Sequence, residues 1–363
     1  MNAKLIFVGG FLGAGKTTLL WECARRLSDS GQKIQLITND QASELVDTAF
    51  LERINGRVSE VSGSCFCCNF NGLAGAIATP GPDGYADIII AEPVGSCTDL
   101  SATLVQPLKE LYGADLQIAP LSVLADPWRL SEILEGRTSG LHESAAYIFR
   151  KQLEEADLIV ISKNDLLTAD ALERLVSQVE KQWPLAKVLT VSSVTGQGLD
   201  HWLHEVMGST QTGTHLAEVD YDIYAEGEAV LGWLNVSYQL TGKAAVDWDA
   251  FTQSFLQNLE KRLAENQMSI GHIKVFLESG SQYTIGNLTG GAEPLCFRST
   301  AGRSRSARFT VNARVQMSPQ ELEDLVTDVL MKAVGSGVTV ETIQLNSLRP
   351  GRPNPTHRYD HVV

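Results

Sequence analysis

The chain is short of positive charge. Lys and Arg total 29 against 43 Asp and Glu, a formal net charge of −14, so a polyanion is repelled and non-specific nucleic-acid binding is disfavoured as a function. Long unbroken apolar runs are also missing. The opening "MNAKLIFVGGFLGAGKTTLL" is apolar only in part, is broken by glycines and ends in Gly-Lys-Thr-Thr, which neither a secretory segment nor a membrane span does. These absences lead us to expect a cytoplasmic protein that meets no membrane and no nucleic acid. In a reducing compartment the six cysteines read as thiols or metal ligands rather than a disulfide framework. The one basic stretch, "RSTAGRSRSARF" with Arg298, Arg303, Arg305 and Arg308, reads as a solvated loop.

What is present is enough for two cores. A length of 363 residues with 44% hydrophobic content suits two domains. Residues 1–208 alternate buried strands ("KLIFVGG", "KIQLIT", "DIIIAE", "LQIAPLSVLAD", "LIVISKND", "KVLTVSS") with amphipathic helices. That grammar predicts a parallel α/β sheet flanked by helices. A polar, Gly/Thr-rich linker is expected over 209–222, a smaller mixed α/β domain over 223–346, and an irregular Pro/Arg-rich tail over 347–363. The helix predicted for "DWDAFTQSFLQNLEKRLAENQ" puts Trp248, Phe251, Phe255, Leu259 and Leu263 on one face.

The strongest motif is "GFLGAGKT", Gly10 to Thr17: a glycine, four residues, then Gly-Lys-Thr between a buried strand and a helix. Only a glycine-rich loop lets backbone N–H groups converge on phosphates, and the helix N-terminus adds its dipole. Gly10, Gly13, Ala14, Gly15, Lys16, Thr17 and Thr18 are therefore candidate phosphate-binding residues in a P-loop NTPase fold. Lys16 would neutralise the β- and γ-phosphates and Thr17 would ligate Mg²⁺. "ISKNDLL" resembles the Asn-Lys-x-Asp guanine motif with Ser162 in place of Asn; Asp165 can accept from guanine N1–H and its amino group, and Lys163 can lie along the base. The same four residues also read as a helix-capping turn, but "VSSVTGQG", with Ser192 and Ser193, resembles the last guanine-contacting loop of GTPases. GTP is expected over ATP.

Switch segments follow from the same logic. "DIIIAEPVG" ends a buried strand at Glu92, which can orient Mg²⁺-bound water, and Gly95 can turn its N–H toward a γ-phosphate. Asn39, Asp40 and Asp47 lie in a first-switch candidate, "TNDQASELVDTAFL", where Asp40 could position the attacking water. Lys16, Glu92 and Asp40 are the catalytic candidates. No glutamine in a convincing catalytic position follows Gly95, so slow intrinsic hydrolysis is expected.

Between the two switches sits "VSGSCFCCNF". Cys65, Cys67 and Cys68 offer three thiolates to a borderline-soft tetrahedral cation such as Zn²⁺ and leave one position free, which suits handover. Two other readings stay open here: a strained Cys67–Cys68 disulfide with a redox role, and a structural zinc site closed by Cys97. Cys23 and Cys296 read as buried or incidental. His201 and His204 read as a surface pair and His272 as a sheet residue, while His357 and His361 in the tail are weak candidates for transient metal capture.

In this order, "GGFLGAGKTT", Cys-x-Cys-Cys, a strand ending Glu-x-x-Gly and a late Lys-x-Asp resemble the CobW-type GTPases of the SIMIBI class. These metallochaperones are often labelled cobalamin synthesis proteins and are related to the nickel-inserting GTPases of urease and hydrogenase maturation. The resemblance extends to "IGHIKVFL" and "VNARVQMSPQELEDLV" in the second domain; Ser64 departs from the family's "GCxCC" flank. It implies a Mg²⁺-dependent GTPase, cycling between GTP and GDP, that loads Zn²⁺ or Co²⁺ at Cys65, Cys67 and Cys68. Delivery would be to a metalloprotein client or a corrinoid-pathway protein. The second domain would then recognise the client or complete a homodimer. Rival readings are a P-loop ATPase or small-molecule kinase, and a nucleotide-gated metal sensor or store without transfer.

Overall fold

A computed structural model describes the chain except residues 1–2, 41–45, 52–56, 210 and 291–294 and the side chains of 48–50. The middle of the first-switch candidate, residues 41–45, thus lies outside the described residues.

The N-terminal part is a parallel sheet of β1 (Ala3–Gly10), β2 (Ile34–Asn39), β3 (Arg57–Val61), β4 (Ile88–Glu92), β5 (Leu116–Ile118), β6 (Ser122–Ala125), β7 (Leu158–Ile161) and β8 (Lys187–Thr190). The order is β3-β2-β4-β1-β6-β7-β8, with β5 also on β1. β1, β2, β4, β6 and β7 are buried along their length, as continuous apolar runs covered by helices on both faces should be. The loops that follow β1, β2, β4, β7 and β8 all emerge at the carboxyl edge, where open α/β sheets bind ligands.

One strand expectation needs correction. "LQIAPLSVLAD" is two strands: β5 pairs with Ala3 to Leu5 and β6 with Val8 to Gly10 of the same β1. Pro120 lies between them and has no N–H for a central ladder.

The second part is an antiparallel sheet of β9 (Gly232–Asp247), β10 (Ile270–Ser279), β11 (Gln282–Leu288), β12 (Cys296–Arg298), β13 (Arg303–Val315) and β14 (Val338–Leu348), ordered β12-β11-β10-β13-β9-β14. Helices Trp248–Glu265 and Pro319–Val334 cover one face with a core that includes Phe255, Leu259, Ile273, Val275, Val311 and Leu322. The second helix starts on a capping box, Ser318 with Glu321. The Arg-rich stretch expected as a loop runs into β13, whose first residues pair with β9 (Arg303 with Asp247, Ser306 with Thr241). Its arginines are compatible with a strand because that end of the ribbon is largely solvated.

Alternation on β10 sends Ile273, Val275 and Leu277 to the helices and His272, Lys274 and Phe276 to the other face. Asn287, Lys274, Asn312 and Asn235 stand in register on four neighbouring strands. This polar row faces the nucleotide domain. Between the two sheets, helix Tyr221–Ala229 packs on helix Glu143–Glu154, and Tyr224, Leu231 and Trp233 join the first domain's core.

Candidate functional site

β1 feeds the phosphate loop through Gly10, whose φ of 126° and close approach to the Leu124 backbone leave no room for a Cβ. Gly13 and Gly15 are also left-handed, at 81° and 91°. Lys16 and Thr17 open the helix Lys16–Asp29 and are buried, Ala14 is buried, and Thr18 lines the cavity above. Lys16 Nζ donates to the Gly10 carbonyl at 2.8 Å and stands 4.0 Å from Glu92. Thr17 Oγ1 donates to Glu92 Oε1 at 3.2 Å. Burial, and then the Asp47 charge, pushes the Glu92 carboxyl up to about 7, while burial pulls Lys16 down. A Cβ on Gly95 would come within 3.0 Å of Lys16 Nζ and 2.9 Å of Leu12, so the segment after β4 rests directly on the phosphate loop.

The polar face of the second sheet roofs this site, which the sequence did not indicate. Lys274 Nζ donates to Thr17 Oγ1 at 3.3 Å and pairs with Asp47. The Val46 N–H donates to Asn312 Oδ1 at 2.8 Å. Asp40 accepts from Arg314 at 2.7 Å and from the Asn235 amide at 3.1 Å, all three buried. Arg314 also lies 4.2 Å over the Trp233 ring. The cavity enclosed between loop and sheet measures about 540 Å³, within the range of small-molecule sites. Asp40 borders this cavity with its carboxylate held by Arg314. Cys296, expected to be incidental, is exposed and lines the same cavity.

At the far end lie the base candidates. Lys163 is left-handed at φ 52° and its ammonium pairs with Asp126 at 2.8 Å; Asp126 also caps the helix Pro127–Leu134. Ser162, Lys163, Asp165 and Ser193 line the cavity. Ser192 does not; it turns back to accept from the Val194 and Thr195 amides at 3.2 and 3.0 Å, shaping the loop that presents Ser193.

The three neighbouring cysteines form a compact cluster, their sulfurs all within 4.8 Å of one another. Cys65 and Cys67 are buried and Cys68 half-buried. Asn39, at the end of β2, holds the loop: its amide donates to the Val61 and Ser64 carbonyls at 2.7 and 2.8 Å, and its oxygen accepts from the Phe66 N–H at 2.7 Å. Cys67 and Cys68, interacting with Cys65, hold the Cys65 thiol well below its ordinary range, and in return that contact pushes Cys68 up to about 11. One thiolate stabilised by neighbouring thiols is poised to exchange protons for a soft cation.

The tail beyond β14, whose strand takes in residues 347–348 of the stretch expected to be irregular, is anchored across this cluster. Thr356 N–H donates to the Cys67 carbonyl at 2.8 Å, Asn354 N–H to Cys68 Sγ at 3.2 Å, and Arg358 to Asp99 at 2.7 Å. His357 meets the Phe70 ring edge-on at 4.8 Å. His201, His204 and His361 stand elsewhere; His201 lies 3.5 Å from Glu205 and His361 2.8 Å from Asp360.

One buried carboxyl carries a testable pH signature. Glu155 is fully buried, accepting from Thr98 Oγ1 and the Ser101 N–H at 2.9 Å each, and burial pushes it up to about 8. The folded state therefore keeps a proton that the unfolded chain releases near its ordinary value, and stability falls as pH rises from about 4.5 to 8. Glu155→Gln mimics the protonated acid. We expect its urea midpoint to fall less steeply over that window than the wild type's, by about one proton's slope; an unchanged slope counts against a buried neutral Glu155.

A phosphate loop on the carboxyl edge of a parallel sheet, with a buried Lys-Thr-Glu constellation, defines a P-loop nucleotide-binding protein; between its two switch candidates this one carries a thiol cluster. The family "CobW/HypB/UreG, nucleotide-binding domain" matches residues 4–190. The chain belongs to that family. It is 30% identical over 216 residues to the zinc chaperone CobW of Pseudomonas aeruginosa, covering 51% of this chain and 55% of that protein. With the zinc chaperone YeiR of Escherichia coli it shares 31% over 172 residues, 46% of this chain and 48% of the other. The chain thus spans about half the length of the curated relatives it matches. Among solved structures, HypB from Helicobacter pylori in complex with nickel aligns at 19% identity, covering 59% of this chain and 91% of that one with a TM-score of 0.43, too loose a likeness to carry chemistry.

Proposed function

We propose that the protein is a GTPase that carries a zinc ion as cargo on Cys65, Cys67 and Cys68 and couples GTP hydrolysis to its delivery to a client protein. The observation that carries this reading is the Asn39 clamp. The thiol loop hangs from the last residue of β2, next to Asp40 and the first switch, so a nucleotide-driven change there acts on the metal-holding turn. Zinc is favoured over cobalt because the donor set is all thiol and both relatives above are named zinc chaperones. The 1–208 and 223–346 units divide the work, the first holding nucleotide and cargo, the second roofing the nucleotide.

Thr17 and Glu92 fit a divalent cation: Glu92 Oε2 is buried with no hydrogen-bond partner among the described residues, and Lys274 already places a positive charge 3.3 Å from Thr17 Oγ1. Bound there, Mg²⁺ would offset the charge on the β- and γ-phosphates. Lys16 leaves the Gly10 carbonyl to meet those phosphates, Gly95 turns its N–H toward the terminal one, and the roof excludes water. Asp165 holds the guanine edge, with Lys163 and Ser193 beside it. Catalysis comes from positioning and charge compensation, and with no glutamine in a convincing catalytic position after Gly95, turnover is slow.

The test is zinc affinity, by chelator competition, with GDP and with a non-hydrolysable GTP analogue. We expect a difference of about fivefold or more, the lower edge of ordinary allosteric coupling, and loss of stoichiometric zinc in the Cys65→Ser, Cys67→Ser, Cys68→Ser triple variant. Equal affinity in both nucleotide states would end the coupled-delivery reading.

A further inference from the structure

The buried face of the thiol cluster holds one more sulfur than the Cys-x-Cys-Cys motif supplies. Cys97 is 1% exposed, packs in the same core as Cys65 and Cys67, and its side chain interacts with both of theirs. We propose that Cys97 is the fourth thiolate around the cargo ion, so that the nucleotide switch itself carries a metal ligand. The inference rests on the cargo-site reading above.

The geometry of residues 94–97 supports both halves. Cys97 N–H closes a tight turn onto the Val94 carbonyl at 2.9 Å. One side-chain amide, that of Gln152, donates to the Gly95 carbonyl at 3.0 Å and to the Cys97 carbonyl at 2.7 Å. Ser96, between them, donates to Glu228 at 2.6 Å. Gly95 touches Lys16 and Leu12 of the phosphate loop, so a shift of Gly95 toward a γ-phosphate moves a carbonyl that shares its donor with Cys97. The path from terminal phosphate to sulfur is two residues long.

The three motif thiols already stand close to the spacing such a site needs. Cys65 and Cys67 sulfurs stand 2.9 Å apart and those of Cys65 and Cys68 3.2 Å; around zinc, bonds of about 2.3 Å put tetrahedral sulfurs about 3.8 Å apart. Loading therefore spreads these three sulfurs by under about 1 Å, and Cys97, outside their mutual 4.8 Å group, closes onto the ion as the fourth. Cys65, Cys67 and Cys97 form the buried floor. Cys68, half-buried and receiving the Asn354 N–H, is the outward ligand and the place where a client's donor would enter. Withdrawal of Cys97 would convert a closed four-sulfur site, the kind that retains zinc, into an open three-sulfur site, the kind that exchanges it. The bond balance is simple: each thiol that binds releases a proton, and each that lets go takes one back.

The probe is Zn²⁺ on the full chain. X-ray absorption should count four sulfurs in the wild type with the GTP analogue and three in Cys97→Ser. Zinc affinity in Cys97→Ser should fall at least about 10–100-fold, since losing a direct ligand costs no less than losing an outer partner, and the GTP/GDP affinity ratio should shrink toward one. Cys23→Ser, altering a buried thiol outside the cluster, controls for generic damage, and the wild-type sulfur count needs no variant at all. Three sulfurs in the wild type, or an unchanged affinity in Cys97→Ser, overturns the proposal. If Cys65→Ser abolishes zinc binding while Cys97→Ser does not, this inference alone fails; if Cys65→Ser binds zinc as well as wild type, the cargo-site reading falls and takes this one with it.

Discussion

Arg314→Ala should destabilise the protein by about 3–5 kcal/mol, the cost of leaving one member of a buried ion pair alone. Asp40 is 2% and Arg314 6% exposed, and the pair at 2.7 Å is completed by Asn235 on both members. Burial pulls the guanidinium below its ordinary range and Asp40 opposes that. Removing the arginine strands a carboxylate between two domains, and the cation–π contact with Trp233 goes too. The readout is the urea midpoint at unchanged slope. The double variant Arg314→Met with Asp40→Asn should recover most of the loss, because replacing both charges leaves nothing uncompensated. A single-variant loss below about 1 kcal/mol, the size of a surface pair, would mean that water reaches the pair.

Lys16→Ala should lower single-turnover GTP hydrolysis about 100–1000-fold, the loss typical of one preorganised charge or donor in a water-excluded site. Lys16 is 7% exposed and already desolvated, so what remains when phosphate arrives is to exchange the Gly10 carbonyl for a phosphate oxygen. Phosphate release at saturating nucleotide measures the effect. A drop under about tenfold would show that Lys274, reaching in from the roof to Thr17, carries the phosphate charge instead.

How much of this could be read from the sequence depends on the separation of the partners. The phosphate loop, the strand ending in Glu92 and the run holding Cys65, Cys67 and Cys68 are local patterns, each confined to a few residues whose spacing the chemistry fixes. The parallel architecture followed from apolar runs that only a sheet covered on both faces needs. What could not be read is long-range. Lys274 meets Thr17 across 257 positions and Arg314 meets Asp40 across 274; on their own strands both are ordinary alternating polar residues. Asn39 was legible only as a polar candidate for a switch, and its clamp on the thiol loop depends on β2 and β3 being neighbours. The basic stretch before Phe309 looked like a loop because its arginines are solvated, yet a ribbon that outruns its sheet tolerates charge on both sides. The tail carried no periodicity, and only its docking gives it structure.

The register of two strands limits where any movement can occur. Ile37 pairs with Ala91 and Thr38 with Glu92, so the thiol loop and the Glu92 carboxylate hang from adjacent rungs of one buried ladder. Such a ladder cannot slide by less than a two-residue step without turning core side chains outward. It serves as a fixed fulcrum. Any stroke sent from the nucleotide site to the sulfurs must therefore be taken up beyond the strand tips, on the described side by residues 93–99, and stiffening that arm should stall the lever while both ligands stay bound.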